Sequence, residues 1–333
     1  MITLKKDQQG KPISTEHLLR TQEVSSVLIY GDSGVGKSTH LAHAAEWLVN
    51  RYGKPVRVVT IEPSSTIVFE PLVSQGKVEL VFITPNDSVF RALRRLSKGE
   101  WPSEQGWRSW DGSVCAYIIE GMQSLGEALL EECRRNGYFK GEQKEVSVAL
   151  EGEFVIPASR SMYGVAQSEL LDTIRGFSAL PGLRYVLWST HESKGIEEDT
   201  AAQIRGPALV GTARTASVPK YFSIVLHIDR FSRPVGTGEN RIIESRRRVW
   251  LTSHPDPQQP HIHYPAKVVL PVAAIPLFER RFPQPYFDPV VQKEGDSVRL
   301  TPSLADVLAA KEFALQAAYQ EKKEVTGDRT STE

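Results

Sequence analysis

One segment of the sequence has residue types and spacing suited to binding phosphate. Residues 31–39 read GDSGVGKST, which satisfies the pattern GxxxxGK[ST] after an apolar run and before an amphipathic one. The glycines let successive backbone N–H groups converge on phosphate oxygens, and the helix N-terminus adds partial positive charge. The predicted phosphate-binding residues are Gly31, Asp32, Ser33, Gly34, Val35, Gly36, Lys37, Ser38 and Thr39.

Three side chains of this loop have distinct expected roles on a nucleoside triphosphate. Lys37 is expected to bridge β and γ oxygens, Ser38 to coordinate Mg²⁺ through its hydroxyl, and Thr39 to support the α-phosphate. The predicted ligands are therefore ATP or GTP together with Mg²⁺. No NKxD-type guanine reader occurs in the sequence, which favours adenine.

Magnesium at such a loop also needs a carboxylate, normally at the end of a strand beside the loop's own strand. Glu120 is the candidate, because it ends the apolar run Ala116–Ile119. Most P-loop enzymes place aspartate there, so the side chain is one methylene longer and the geometry of the metal site must shift. The alternative is a surface carboxylate at a strand end.

A second acid, Glu62, closes the apolar run Val56–Ile61 and precedes Pro63. Because parallel strands end at one edge of a sheet, Glu62 is expected at the same edge as the phosphates. It is the candidate general base, which would polarise the water that attacks the γ-phosphate. The alternative is an acid that caps a helix or orders a loop.

His191 and Thr190 follow the apolar run that ends at Ser189. A polar group at the tip of a central strand is placed to sense the γ-phosphate, and an imidazole can do so by hydrogen bonding. A histidine satisfied by the local backbone is the alternative. The predicted catalytic set is Lys37, Glu62, Thr190 and His191.

Two clusters of basic residues are candidates for contact with phosphates, from single-stranded DNA or from a neighbouring subunit's nucleotide. The alternative for each is a solvated face balanced by nearby acids, since 40 basic residues balance 40 acidic ones in the chain. The first cluster follows the strand before His191, and the second is predicted to lie between two strands. The residues are Arg205, Arg214, Lys220, Arg246, Arg247 and Arg248.

Charge and composition exclude several classes of protein. The net charge of zero provides no global field toward nucleic acid or membrane, so any DNA contact must come from a local patch. No apolar run approaches the roughly 18 residues of a membrane span, and the N-terminus lacks the apolar core of a secretory signal. Cys115 lies in a predicted buried strand, which argues against a disulfide framework. We expect a cytoplasmic protein without membrane contact.

Alternation of β-branched runs with helical patterns predicts βαβ units and a mostly parallel sheet flanked by helices. Helices are expected over Ser38–Asn50 and Tyr163–Leu180. The predicted core strands are Ser26–Tyr30, Val56–Ile61, Val78–Ile83, Cys115–Ile119, Tyr185–Ser189 and Ser223–Ile228, and those farther on are Arg241–Glu244, Val249–Thr252 and Ala266–Leu270.

The predicted organisation has five parts. An N-terminal segment covers residues 1–23, and an α/β core covers 24–230 with an insertion at about 137–162. A β-rich extension follows at 231–302, then a C-terminal helix at 303–324 that Ser303 and Asp306 would cap, and a disordered tail at 325–333.

The arrangement resembles the RecA-like P-loop ATPases, in particular phage-encoded AAA-type proteins described as single-strand annealing or recombinase ATPases. The resemblance covers about Ser25 to Arg230 and is carried by these segments: IYGDSGVGKST, VVTIEP, AYIIEGMQSL, the Tyr163-Gly164 helix entry before LWSTHE, and GPALVGTARTASVPKYFSIVLHIDR. It implies a RecA-like fold, Lys37 and Ser38 for phosphate and metal, Glu62 for water activation, Glu120 for metal, and Thr190 and His191 for sensing.

The same resemblance implies a homo-oligomer with active sites between subunits that works on DNA in recombination or replication, in the host cytoplasm for a phage-encoded chain. Glu120 in place of aspartate and the enlarged 137–162 segment depart from the family pattern. The competing hypothesis is a nucleotide-gated assembly or adaptor protein with little turnover. A small-molecule kinase is disfavoured, because neither an arginine-rich lid nor an acceptor-site motif is present.

Overall fold

The computed structural model describes residues 24–84, 87–136, 148–150, 153–155, 159–196, 203–212, 214–235, 242–294 and 297–327. The predicted N-terminal segment, residues 1–23, lies outside these ranges. So does most of the predicted insertion at 137–162, of which the structure describes the short hairpin β7 (Val148–Leu150) and β8 (Glu153–Val155).

A large, mostly parallel sheet forms the centre of the molecule. Its strands run in the order β17-β13-β12-β1-β9-β6-β2-β3, and β16 pairs with β12 at one end. The strands from β12 to β3 in this order are parallel, whereas β13, β16 and β17 are antiparallel to their neighbours. The strands are β1 (Ser25–Gly31), β2 (Val56–Thr60), β3 (Val78–Phe82), β6 (Ala116–Glu120), β9 (Tyr185–Thr190), β12 (Ile224–Val235), β13 (Ile242–Trp250), β16 (Lys267–Val268) and β17 (Tyr286–Phe287).

Helices cover both faces of this sheet, as expected for a parallel sheet whose strands are apolar on both sides. Alternate residues of β1 point into two separate cores, Val27 and Ile29 into one, Leu28 and Tyr30 into the other. The first core lies under α1 (Lys37–Tyr52), α2 (Pro63–Ser74), α6 (Ile275–Arg281) and α7 (Leu304–Gly327); the second lies under α3 (Val89–Leu96), α4 (Met122–Asn136) and α5 (Arg160–Ser178).

The architecture confirms the predicted fold class, a mostly parallel α/β sheet flanked by helices with a β-rich C-terminal region and a terminal helix. All six predicted core strands are present within about two residues, except that β12 continues to Val235 instead of ending at Ile228. The predicted helices correspond to α1, α5 and α7. Helix α7 runs through Gly327, so the tail predicted from residue 325 is helical to that point, and residues 328–333 are outside the described ranges.

Two predictions for the C-terminal third were wrong. Separate strands were predicted at Arg241–Glu244 and Val249–Thr252 with a basic loop between them, but residues 242–250 form the single strand β13, and Arg241 lies outside the described residues. Long arginine side chains are compatible with a strand when their heads reach carboxylates, rings or solvent, and the full pairing of β13 with β12 fixes the conformation. The strand predicted at Ala266–Leu270 is shorter, Lys267–Val268.

Smaller sheets accompany the central sheet. Hairpins are formed by β4 (Trp101–Ser103) with β5 (Gly106–Arg108) and by β18 (Val290–Glu294) with β19 (Ser297–Thr301). A further sheet runs in the order β10-β11-β15-β14, with β10 at Glu192–Ile196, β11 at Gln203–Pro207, β14 at His254–Pro255 and β15 at His263–Tyr264. Among the described residues, no helix has the length and apolar character needed to cross a membrane.

The division of the chain into domains stays a prediction. The boundary proposed between residues 230 and 231 falls inside β12, and β13 continues the same sheet beyond it. Helix α7 packs on α1 through the first core, with Leu304, Val307 and Leu308 fully buried. The C-terminal third therefore packs into the same hydrophobic core as α1, the helix that follows the phosphate-binding loop.

Candidate functional site

The segment Gly31–Thr39 comprises the last residue of β1, a tight turn at residues 32–36 and the first residues of α1, at the carboxyl edge of the parallel strands. Two of its glycines are required by the geometry. A Cβ at Gly31 would lie 2.1 Å from the carbonyl oxygen of Ile228 on the neighbouring strand, and Gly36 has φ 99°, a left-handed conformation, at the N-cap position of α1. Val35 anchors the loop in the first core, while residues 32–34 are exposed.

The Lys37 side chain is folded into this loop. Its Nζ donates to the carbonyl oxygens of Gly31 at 2.9 Å and Asp32 at 2.7 Å. Burial lowers the pKa of the Lys37 ammonium, while the carboxylates of Glu62, Glu120, Asp32 and Glu192 act in the opposite direction. The loop thus holds a cation with a partly removed hydration shell, which favours an incoming phosphate.

The Ser38 hydroxyl donates a hydrogen bond to Oε1 of Glu120, the last residue of β6. The expectation that this strand lies beside β1 was wrong, because β9 is inserted between them. The side chain of glutamate still reaches Ser38 across that intervening strand, and Glu120 is buried to 2% exposure. The extra methylene, a departure from the family pattern, gives the carboxylate the reach that this contact uses.

A hydroxyl and a carboxylate side by side are the oxygen ligands that Mg²⁺ prefers. No cluster of three or more His, Cys, Asp or Glu side chains suited to a metal occurs among the described residues. Ser38 and Glu120 therefore fit an ion that takes its other ligands from nucleotide phosphates and water. They do not fit an ion held by protein side chains alone.

Glu62 lies at the N-cap position of α2, but its side chain makes no capping hydrogen bond. Its Oε1 instead accepts a hydrogen bond from Ser124 Oγ at 2.6 Å, on α4. Gly121 packs against the same carboxylate, since a Cβ there would lie 2.6 Å from Glu62 Oε1. Neighbouring elements therefore orient this carboxylate at the sheet edge, an arrangement that the capping alternative does not explain.

Thr190 ends β9, directly beside β1, where it pairs in register with Tyr30, and His191 follows it. The Thr190 hydroxyl is buried and donates to the carbonyl of Ala208 at 2.6 Å. Burial first, and then the Lys37 ammonium, lower the pKa of His191, while the carboxylates of Glu62 and Glu127 act in the opposite direction. The surroundings of His191 in this structure therefore favour its neutral imidazole.

Two residues of this edge were not predicted. Ser124 holds Glu62, and the Ser189 hydroxyl accepts the N–H of Gly121 at 3.1 Å, which ties the turn after β6 to β9. Both are serines within segments already recognised, AYIIEGMQSL and LWSTHE, but a serine near a strand end gives no signal about its partner.

The six predicted DNA-contacting residues do not form one cluster. Arg214 and Lys220 are exposed, whereas Arg205 lies 3.6 Å from Glu192 and 4.0 Å from Asp256. On β13 the arginines alternate. Arg246 pairs with Glu244 at 2.9 Å, Arg248 pairs with Asp288 at 2.8 Å, and Arg247 points to the phosphate-binding loop.

No protein-family model matches the chain, and no curated protein matches it in sequence. Among solved structures, the chain is similar to the KaiC-like protein PH0186 from the hyperthermophilic archaeon Pyrococcus horikoshii OT3. The two are 13% identical, the match covers 84% of this chain and 90% of that one, and the TM-score is 0.40. This likeness assigns no role to any residue of this chain.

Proposed function

We propose that this chain binds Mg·ATP at Gly31–Thr39 and hydrolyses it to ADP and phosphate. The observation that carries the proposal is the contact between Ser38 and Glu120, which joins the first turn of α1 to the end of β6. A phosphate-binding loop followed by a hydroxyl in contact with a buried carboxylate is the donor set of a nucleotide-bound magnesium ion.

In the proposed reaction, a water oxygen forms a bond to the γ-phosphorus. The bond from that phosphorus to the β–γ bridging oxygen breaks, and its electron pair stays with ADP. Glu62, oriented by Ser124, accepts the proton of the water. Lys37 leaves the loop carbonyls for the β and γ oxygens. Bound Mg²⁺, held by Ser38 and Glu120, would supply charge neutralisation at those oxygens.

His191, at the end of the strand beside β1, supports this scheme as a hydrogen-bonding partner of the γ-phosphate. Thr190 has a more restricted part, because its hydroxyl already satisfies Ala208 and would have to break that bond to bind a phosphate. We therefore propose His191 as the sensor and Thr190 as the residue that holds the β9 end in place.

Calorimetric titration with ATP, with and without Mg²⁺, tests binding directly. Wild-type protein is expected to bind ATP more tightly with the metal, and Lys37→Ala is expected to bind at least about tenfold more weakly, as loss of a charge-assisted contact predicts. Equal binding by the two proteins would refute the assignment of the loop.

Action on single-stranded DNA, by a homo-oligomer in the cytoplasm, is the finer proposal. The exposed side chains Arg214 and Lys220 support it most, since they lie in the segment between β11 and β12 without a paired acid among the described ion pairs. Arg214→Ala with Lys220→Ala should weaken binding of a labelled oligonucleotide and reduce the slope of its salt dependence by up to about two. An unchanged titration would refute this role.

Exposed apolar side chains favour the second candidate function, a nucleotide-gated assembly protein. Val272 is 84% exposed before α6 and Phe313 is 63% exposed on α7. Mass measurement by light scattering with and without ATP separates the candidates: a change of mass with negligible phosphate release would favour the assembly protein over the ATPase.

A further inference from the structure

The hairpin formed by β12 and β13 places two arginines over the phosphate-binding loop of the same chain. Gly31 at the end of β1 pairs with Ile228 of β12, and Arg230 lies two residues farther along β12 on the same face. Arg247 is directly opposite Arg230 on β13. Both side chains therefore project beyond the sheet edge on the side of α1.

Both guanidinium groups contact the same loop carbonyl. Nη2 of Arg230 and Nη2 of Arg247 each donate to the carbonyl oxygen of Gly34 at 3.3 Å. Both guanidinium groups lie against the loop glycines: a Cβ at Gly34 would lie 3.4 Å from Arg230 Nη2 and one at Gly36 would lie 3.8 Å from Arg247 Cζ, which are ordinary contact distances.

This arrangement leaves positive charge without a matching anion. Like charges directly opposite on antiparallel strands destabilise the pairing. Among the residues that the structure describes, no carboxylate forms an ion pair with Arg230 or Arg247, although the adjacent Arg246 and Arg248 have Glu244 and Asp288. One carbonyl dipole shared by two full charges does not compensate them.

We propose that Arg230 and Arg247 bind the γ-phosphate of the nucleotide held by their own chain's loop and stabilise the charge that develops on it during hydrolysis. The inference rests on the proposed ATPase function. A guanidinium presents a fork of N–H donors that matches phosphate oxygens. On nucleotide binding, both arginines would give up the carbonyl oxygen of Gly34 and donate to the phosphate instead. The arginines thus belong to the nucleotide site rather than to DNA.

The binding test compares ATP with ADP in the absence of Mg²⁺, using calorimetry. Because the pair contacts the terminal phosphate, Arg230→Ala with Arg247→Ala is expected to reduce the preference for ATP over ADP by about tenfold or more. Arg160→Ala with Arg175→Ala, which removes two exposed arginines from α5, is the control of equal charge and should keep the wild-type preference. An unchanged preference in the double variant would overturn the inference.

The turnover test uses steady-state phosphate release. Loss of both arginines is expected to lower kcat by about 100-fold or more, since charge-stabilising arginines contribute at least this much in related chemistry. Lysine at both positions should recover ATP binding better than turnover, because it restores charge but not the paired donors. Wild-type turnover in the folded double alanine variant would overturn the inference and leave the ATPase standing.

Mixing two inactive variants shows whether the arginines act on their own chain. Lys37→Ala mixed with the double arginine variant should stay inactive, because each chain lacks one part of its own site. Recovery of activity on mixing would overturn the assignment and place the arginines at a neighbour's nucleotide. If wild-type protein binds no ATP at all, the proposed function and this inference both fail.

Discussion

The two sides of the phosphate-binding loop carry opposite charge and come from different parts of the chain. On one side Glu62 lies two residues beyond the end of β2, and Glu120 ends the adjacent strand β6. On the other, Arg230 and Arg247 lie on the β12–β13 hairpin. The acidic side suits the metal and the attacking water, whereas the basic side suits the phosphate charge. The comparison shows that distant parts of the chain supply the acidic and the basic side chains around one loop.

Removing a single charge should lower kcat more on the acidic side of the loop than on the basic side. We expect Glu120→Gln to lower kcat by about 1,000-fold, because the neutral amide cannot replace the carboxylate as a ligand of Mg²⁺ beside Ser38. Binding of ATP without the metal should stay within about threefold of wild type. Phosphate release and metal-free calorimetry measure the two effects. Loss of metal-free binding as well would show that Glu120 supports the fold of the loop instead.

Glu62→Gln tests the assignment of the water-activating base. We expect kcat to fall by about 100-fold with ATP binding retained, as is typical when a general base is removed. If Glu62 only ordered the loop through its hydrogen bond with Ser124, the same change would lower the stability by about 1 kcal/mol and leave kcat near the wild-type value. Kinetics and thermal unfolding of the one variant distinguish these outcomes.

The basic side can be examined through His40, a buried residue of α1 whose Nδ1 accepts the Leu304 N–H at 3.2 Å. Burial first, and then the charges of His43 and Arg247, lower the pKa of His40 to about 3. The unfolded chain binds this proton below its ordinary pKa of 6.5 and the folded chain does not, so stability is lost as the pH falls from 6.5 toward 3.

His40→Asn keeps an acceptor for Leu304 but does not titrate. Between pH 6.5 and 4.5 the wild type should lose about 2 kcal/mol more stability than this variant, measured by urea unfolding at each pH. Parallel losses in both proteins would mean that His40 is protonated in the folded state.

The smallest expected effect concerns the hydrogen bond that orients Glu62. Ser124→Ala removes one donor from the carboxylate, so kcat should fall by about tenfold with unchanged ATP binding. Combined with Glu62→Gln it should add little, since the serine acts through that carboxylate. Additive losses in the double variant would give Ser124 an independent role.

The position of the two acids at the sheet edge was predictable from the sequence, whereas the position of Arg230 and Arg247 over the loop was not. An apolar run followed by an acid predicts a carboxylate at the sheet edge, and this holds for Glu62 and Glu120 whatever the strand order. Only the expectation that β6 lies beside β1 was wrong, because the position of β9 between them depends on long-range packing. The role of Arg247 depends on the register with β12, which the basic run of β13 does not reveal.

The central claim is tested most directly by steady-state phosphate release from Mg·ATP, with Lys37→Ala measured in parallel and single-stranded DNA present or absent. The account predicts that the wild type releases phosphate and the variant does not. The Lys37 ammonium, which donates to two loop carbonyls here, is the group expected to contact the phosphates instead. DNA would raise the rate if the finer proposal holds. Tight ATP binding with no release under any condition would contradict the ATPase.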